Sequence, residues 1–309
     1  MRVKKELELN HRKMVKAERN VKILLFIAAS TTIIFITLIT LFIFMESIPA
    51  VLNENLRAKI LSSQVWAPAY EKYSILPLIM GSIIVVMGAL VISVPVGLCT
   101  AIYIAEEAPG PLKDTFKSAI EMFAAIPSVI YGFVGLVALT PIVAKIFGLS
   151  SGKNAFSASI ILAIMILPTI MSLSSEIISS VPKEYREVSF ALGASKWQTI
   201  KNVILPTAKP GIFAAIILAF GRAIGETIAV LMVCGAAGSM PEFPFFFDAV
   251  FPMTAAIAMY MGEAPMGGEL YHTLFFLGLI LFTITFIVNT VADVILKKSK
   301  GATSGGIEI

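Results

Sequence analysis

Residues 73–105 read YSILPLIMGSIIVVMGALVISVPVGLCTAIYIA, 33 positions without one Asp, Glu, Lys or Arg. A bilayer core takes about 20 apolar residues as a helix, and two spans with a turn need more than about 40. The run is therefore too long for one upright span and too short for two, with only Pro77 and Pro95 to break it. Five other apolar runs flank it, at 23–45, 122–144, 154–175, 210–238 and 270–292. Of these, 210–238 is interrupted by Arg222 and Glu226 alone. The choice between one and two spans at 73–105 sets the topology, and charge decides it. With one span there, 18 Lys and Arg fall on the side of the termini and loops 106–121 and 176–209, against 5 on the other, Arg222 apart. With two spans the split is 10 against 13. Cytoplasmic loops carry the excess of Lys and Arg, so six spans with both termini cytoplasmic is the expectation.

Composition agrees with a polytopic helical membrane protein. Of 309 residues, 57% are hydrophobic and 14% charged, against about 45–50% and 25% in a soluble chain. Mean hydropathy is +0.89. A soluble enzyme, a disordered chain and a disulfide scaffold are excluded. The net charge of +4 reports the cytoplasmic side rather than a nucleic-acid partner. Cys99 and Cys234 lie in apolar runs and read as small buried hydrophobes. The basic region before the first run extends to Lys22, and no small-x-small cleavage site follows, so the run reads as an uncleaved anchor. The organisation is an N-terminal arm (1–22), a six-span domain (23–292) and a C-terminal tail (293–309). The arm fits a surface helix or a solvated segment equally well.

Few motifs suggest chemistry of the chain's own. Residues 148–153 (GLSSGK) resemble a phosphate loop, but three residues separate the glycines where four are needed, and Asn154 follows the Lys. The reading is an ordinary turn. His11 and His272 lack ligand spacing. No metal, cofactor or catalytic site is expected. Pro127, Pro141 and Pro168 read as mid-span prolines that kink helices around a cavity or serve packing. Met165, Met171 and the Phe-rich run 243–251 read as gate, core or lipid-facing residues.

The loop 176–209 is richer. Pro182 opens a helix and Gly193 breaks it; a second runs from about Ser195 to Ile204 and is ended by Pro206. Tyr185, Val188, Phe190, Leu192 and Trp197 give this pair apolar area, suited to a docking knob or to lipid headgroups. At this point the sequence resembles ABC importer permeases, whose cytoplasmic signature is Glu-Ala-Ala, three residues, Gly, nine residues, Ile-x-Leu-Pro. Glu187, Gly193, Leu205 and Pro206 fall on that spacing, with Val188-Ser189 for Ala-Ala and Val203 for Ile. The resemblance extends over nearly the whole chain. Residues 76–82 (LPLIMGS), 102–109 (IYIAEEAP), 125–133 (AIPSVIYGF), 221–227 (GRAIGET) and 274–279 (LFFLGL) are similar to phosphate-specific permeases of the PstC type. The run 229–233 favours that type over PstA. The resemblance implies an all-α fold of the MetI-like kind and a role as one permease half of a phosphate importer. It implies a PstA-like permease, two PstB-like ATPases and an external phosphate-binding protein as partners. It makes the loop a coupling helix, with Glu187, Gly193, Ala194, Trp197, Leu205 and Pro206 against the ATPase. The alternatives are another oxyanion, sulfate or molybdate, and a phosphate-sensing scaffold.

The charges inside 210–238 bear on the anion independently. Arg222 lies 12 residues past Pro210, about 18 Å along a helix. A central Arg costs about 2.5–3.5 kcal/mol on insertion scales, so it faces protein or water. Its planar fork suits phosphate oxygens. Glu226 at i+4 would share its face and pair with it. The pair lines the substrate path, or it is structural, with Gly221 and Gly225 allowing close helix approach. The loop 239–271 carries Glu242, Asp248, Glu263 and Glu269 without Lys or Arg. It is expected to meet the binding protein or to fold over the mouth as an apolar lid.

Overall fold

The structure, a computed structural model, describes residues 2–62, 64–242 and 245–304, with side chains placed at 18–61, 64–242 and 245–295. Among them six helices are long and apolar enough to cross a membrane, at Glu18–Leu52, Leu76–Glu107, Ser128–Phe147, Ala155–Ser179, Lys196–Ile224 and Glu269–Ile295. The run at 73–105 forms one of them, as the charge count required.

In chain order α1 (Arg2–Leu52) leads to α2 (Glu54–Ser62) and to a minimal antiparallel pair, β1 (Trp66–Ala67) and β2 (Lys72–Tyr73). Then come α3 (Leu76–Ile102), α4 (Gly110–Ala125), α5 (Ser128–Val134) and α6 (Thr140–Phe147). They are followed by α7 (Ala155–Ser179), α8 (Lys183–Ala191), α9 (Lys196–Thr199) and α10 (Leu205–Ile224). The last are α11 (Ile228–Val233), α12 (Met253–Tyr260) and α13 (Glu269–Ser304). The arm at 1–22 has no boundary of its own in the backbone, since α1 runs unbroken from Arg2.

The centre of the bundle is the parallel pair α3 and α7. Glycines let them close up. A Cβ at Gly88 would collide with Ser159 Oγ, and one at Gly97 would stand 2.8 Å from Ile170. In hydrocarbon, helix association rests on this kind of close packing and on interhelical hydrogen bonds. Ser159 supplies one, its hydroxyl shared between the Ala155 carbonyl of its own helix at 2.8 Å and the Val85 carbonyl of α3 at 3.2 Å. Around them Ile161, Leu162, Ile166, Ala219, Ala223, Ala229 and Val233 form the main buried cluster. α10 lies antiparallel on α7, and α13 covers α10. α1 stands outermost, touching α13 through Phe42 on Phe275 (5.4 Å) and the Glu46 carbonyl on His272 (2.9 Å).

Several breakers act differently from the sequence expectation. Pro127 is not mid-span: it caps α5 at a sharp elbow after α4, where Tyr131 donates to the Phe123 carbonyl at 2.8 Å. Pro141 lies within the span Ser128–Phe147 but follows a wide, π-type turn at Gly135–Leu139, whereas Pro168 lies within the uninterrupted α7. Pro206 does not end its helix. A second wide turn at Ile200–Ile204 precedes it, so the helical path continues from Lys196 to Ile224. Proline lacks an N–H and its ring collides with the carbonyl four residues back; widening the turn by one residue moves that carbonyl away. Of the cysteines, Cys234 is buried as expected, whereas Cys99 is exposed on α3. Residues 148–154 are the expected turn: Gly148 closes α6 with φ +65°, and Asn154 caps α7 by accepting from the Ser157 N–H.

The loops gather at two ends. One holds 103–127 and 180–204. The other holds 53–75, 148–154 and 235–268, where Trp66 N–H donates to the Gly238 carbonyl at 2.7 Å and Ala155 N–H to that of Asp248 at 2.9 Å. At this second end Lys59 bonds Glu269 at 2.6 Å and lies 3.6 Å from Glu71. Its pKa is raised, first by the hydrogen bond to Glu269, so its charge is retained across neutral pH and lost only as pH rises through that raised value.

Candidate translocation and coupling site

Arg222 occupies the last turn of α10, and its position is fixed from α7. Its Nη1 donates to Thr169 Oγ1 at 3.0 Å. Thr169 is 10 residues from the Ser179 end of α7, about 15 Å of helix, so the guanidinium lies near the middle of the span, on an exposed face of the bundle.

Glu226 does not pair with it. The i+4 expectation assumed a continuous helix, but α10 stops at Ile224 and α11 starts at Ile228. Glu226 falls in the break, off the face of Arg222, and among the described residues no Arg222–Glu226 ion pair forms. Gly225 ends the helix rather than letting a neighbour approach, as its Cβ position meets only its own backbone at 3.7 Å. Gly221 does meet α13, with Asn289 Oδ1 3.1 Å from its Cβ position. A break frees backbone carbonyls that must find donors. Thr254 of α12 donates to the Glu226 carbonyl at 2.8 Å, and Thr227 to that of Gly225 at 3.2 Å.

That contact gives the 239–271 loop its place. Phe251 is buried at 2% exposure, and Met253, Ala255 and Ala256 sink between α3 and α13. Met253 N–H donates to Ser82 Oγ at 2.9 Å. The segment 250–256 therefore covers the Glu226 break from the 53–75 end, the apolar-lid half of the sequence expectation. Phe247 packs tilted against Phe147 and Phe156 (4.7 and 5.8 Å); residues 243 and 244 of the Phe-rich run lie outside the described residues. Met165 is core.

At the opposite end α8 and α9 form the knob. Gly193 has φ +79°. Its N–H bonds the Phe190 carbonyl at 2.9 Å and Ala194 N–H the Ser189 carbonyl at 3.2 Å. This is the glycine-terminated helix end in which the last carbonyls are recovered by a left-handed residue. Ser195 then caps α9 reciprocally with Gln198. Ser189 and Thr199 hydroxyls meet at 2.9 Å and tie the two helices. Glu187 is exposed, Ala194 and Leu205 half-buried, and Pro206 opens α10. Trp197 is 63% and Leu192 83% exposed. With Tyr185, Val188 and Phe190 also exposed, the knob presents apolar area without a cover.

Two residues that the sequence reading did not single out hold the knob to the spans. Arg186 Nη2 bonds Glu106 Oε1 at 2.6 Å and the Ile178 carbonyl at 3.1 Å, while Nη1 bonds the Val181 carbonyl. Lys196 adds an ion pair to Glu107 at 2.9 Å. The tandem Glu106-Glu107 directly after a charge-free run was the available signal. It marks where α3 leaves the apolar layer.

Comparison with known proteins follows the same lines. The family model of the binding-protein-dependent transport system inner membrane component matches residues 93–301. The probable ABC transporter permease protein YqgH of Bacillus subtilis is 38% identical, covering 85% of this chain and 84% of its own. The phosphate transport system permease protein PstC of Mesorhizobium japonicum is 35% identical over 77% and 78%. PstC 2 of Mycobacterium bovis is 31% identical over 91% and 92%. Among solved structures, the inward-facing MetNI methionine ABC transporter aligns with a TM-score of 0.50 and 20% identity, covering 72% of this chain and 94% of that one. That likeness is one of fold.

Proposed function

The chain belongs to the family of binding-protein-dependent transport system inner membrane components, and from that premise we propose that it is the permease subunit through which an ABC importer moves inorganic phosphate into the cytoplasm. It is a multi-pass membrane protein, and its family works with a substrate-binding protein. The finer assignments are proposals. Both termini and the α8–α9 knob face the cytoplasm, in keeping with 18 Lys and Arg on that side against 5. A PstA-like chain completes the permease, and two PstB-like subunits hydrolyse ATP. The chain contributes no ATPase site of its own.

The observation that carries the anion reading is Arg222, a cation in a membrane span, aimed by Thr169 and without a carboxylate partner among the described residues. Phosphate cannot cross hydrocarbon without replacing its hydration. A guanidinium fork supplies that replacement in a geometry matched to phosphate oxygens. Glu226, separated from Arg222 by the break, repels an anion that lingers and so favours release. Relatives named phosphate permeases support the choice of phosphate.

For coupling, the knob's exposed apolar face docks on the ATPase, and Glu187, Gly193, Ala194, Trp197, Leu205 and Pro206 form or position that face. Arg186 and Glu106 pass its displacement to α3 and α7. The test is ATP-driven uptake by the importer reconstituted with its binding protein and ATPase. Phosphate uptake that sulfate and molybdate do not match is expected. Uptake of sulfate in preference to phosphate, or phosphate uptake that persists without this chain, would overturn the reading.

A further inference from the structure

Beyond Thr169 the polar surface of α7 continues. Thr169, Ser172, Glu176 and Ser179 recur at intervals of three and four and so share one helical face. Its lower part, Ser172, Glu176 and Ser179, lines a cleft of about 270 Å³ against α4, into which Lys113, Lys117 and Glu121 also project. The amphipathic α4 is held there by Ile120, which is buried, and by Phe116 edge-on to Tyr103 at 5.9 Å. The ammonium groups of Lys113 and Lys117 and the hydroxyls of Ser172 and Ser179 have no hydrogen-bond or ion-pair partner among the described residues. Glu121 and Glu176 are likewise without an ion-pair partner, although Lys117 and Glu121 are spaced i,i+4.

We propose that this α4–α7 cleft is an inner station for phosphate, selective for an oxyanion that still carries a proton. The inference rests on the phosphate-permease reading and deepens it. Two ammonium groups and two hydroxyls supply donors for the oxyanion's oxygens. Carboxylates only accept, so Glu121 and Glu176 would repel a bare anion. Phosphate at neutral pH keeps at least one P–OH and donates it to a carboxylate. Sulfate has no proton to give. The two carboxylates therefore act as a filter, and they cancel the lysine charge so that the station holds its ion weakly. The stripe from Thr169 to Ser179 spans about 15 Å and links Arg222 to this exit.

The assembled importer in neutral phosphatidylcholine nanodiscs gives a direct test. The acylation rates of Lys113 and Lys117 are measured by mass spectrometry, alone, with inorganic phosphate and with equal sulfate. Phosphate is expected to slow both lysines at least threefold and sulfate to leave them unchanged. The Glu121→Gln/Glu176→Gln variant is expected to let sulfate protect as phosphate does. Equal protection by sulfate in the unmodified chain, or none by either ion, overturns the proposal. Protection that appears with anionic lipid alone also overturns it, assigning the cleft to a headgroup phosphate. Uptake separates the two claims: if the unmodified complex transports phosphate while the lysines stay unprotected, the station fails and the permease reading stands. If it transports no phosphate, the permease reading itself fails.

Discussion

Arg222 is worth most where its hydrogen bond aims it. Removing Thr169's hydroxyl leaves the charge but lets the side chain wander among its rotamers. Thr169→Val is therefore expected to assemble normally and to take up phosphate roughly tenfold more slowly, the equivalent of about 1.4 kcal/mol. Arg222→Gln removes the charge, and hydrogen bonds to charged groups are worth about 1.5–3 kcal/mol, so the loss should be larger. Arg222→Lys keeps a point charge without the fork and should be intermediate. Because no ion pair joins Arg222 to Glu226 among the described residues, neutralising Glu226 does not compensate for the loss of Arg222, and Arg222→Gln/Glu226→Gln should assemble well but fail to transport. Recovery of transport by that double variant would restore the structural ion pair. The sequence made both charges visible against an apolar run. It hid their separation, since Gly225 in a helical pattern is read equally well as a packing contact or a stop. Of the two threonines that recover the freed carbonyls, Thr254 lies 28 residues downstream.

At the scale of elements, the knob and its staple carry the coupling argument. A Cβ at Gly193 would meet nothing within 4 Å, so substitution there acts through the backbone and not through a clash. A non-Gly residue in the left-handed region costs about 1–2 kcal/mol, enough to reshape α8–α9 without expelling the chain from the membrane. Gly193→Trp, and more strongly the β-branched Gly193→Val, are expected to leave assembly intact and to uncouple ATP hydrolysis from uptake. The staple gives a sharper prediction. Arg186 and Glu106 side chains are 18% and 8% exposed, and breaking such a pair by removing one partner costs about 3–5 kcal/mol. Arg186→Lys should fail to replace Arg186, because one ammonium cannot serve a carboxylate and the Ile178 and Val181 carbonyls together. ATPase activity that no longer responds to the binding protein is the readout; a normal response in Arg186→Lys would remove the staple from the coupling path. The six spans and the knob's two helices were legible from charge-free runs, Pro182, Gly193 and the capping Ser195. The unbroken path through Pro206 was not. Proline reads as a stop, and what keeps the widened turn helical is burial of Ile200 and Ile204 at 2% and 1% exposure, a tertiary fact.

For the whole molecule, the described conformation is closed at one end of the Arg222 region. Segment 250–256 seals the Glu226 break through Ser82 and Thr254, while the stripe below Thr169 reaches the cleft at the other end. In the proposed orientation the closed end faces outward and the open end inward. On the proposed function, phosphate delivered from outside requires 250–256 to withdraw, and docking of the binding protein on the loops around it would supply the force. Each hydrogen bond holding the segment adds to the bias toward closure. Thr254→Val removes one and leaves the Glu226 carbonyl without its donor, which favours the withdrawn state by about 1–3 kcal/mol. The variant should therefore need the binding protein less. ATP hydrolysis measured without binding protein is expected to rise severalfold, while the rate with saturating binding protein stays close to that of the unmodified chain. A basal rate that does not change would mean the segment is fixed and the anion enters by another route. A fall in both rates together would mean that Thr254 supports the bundle and not its closure.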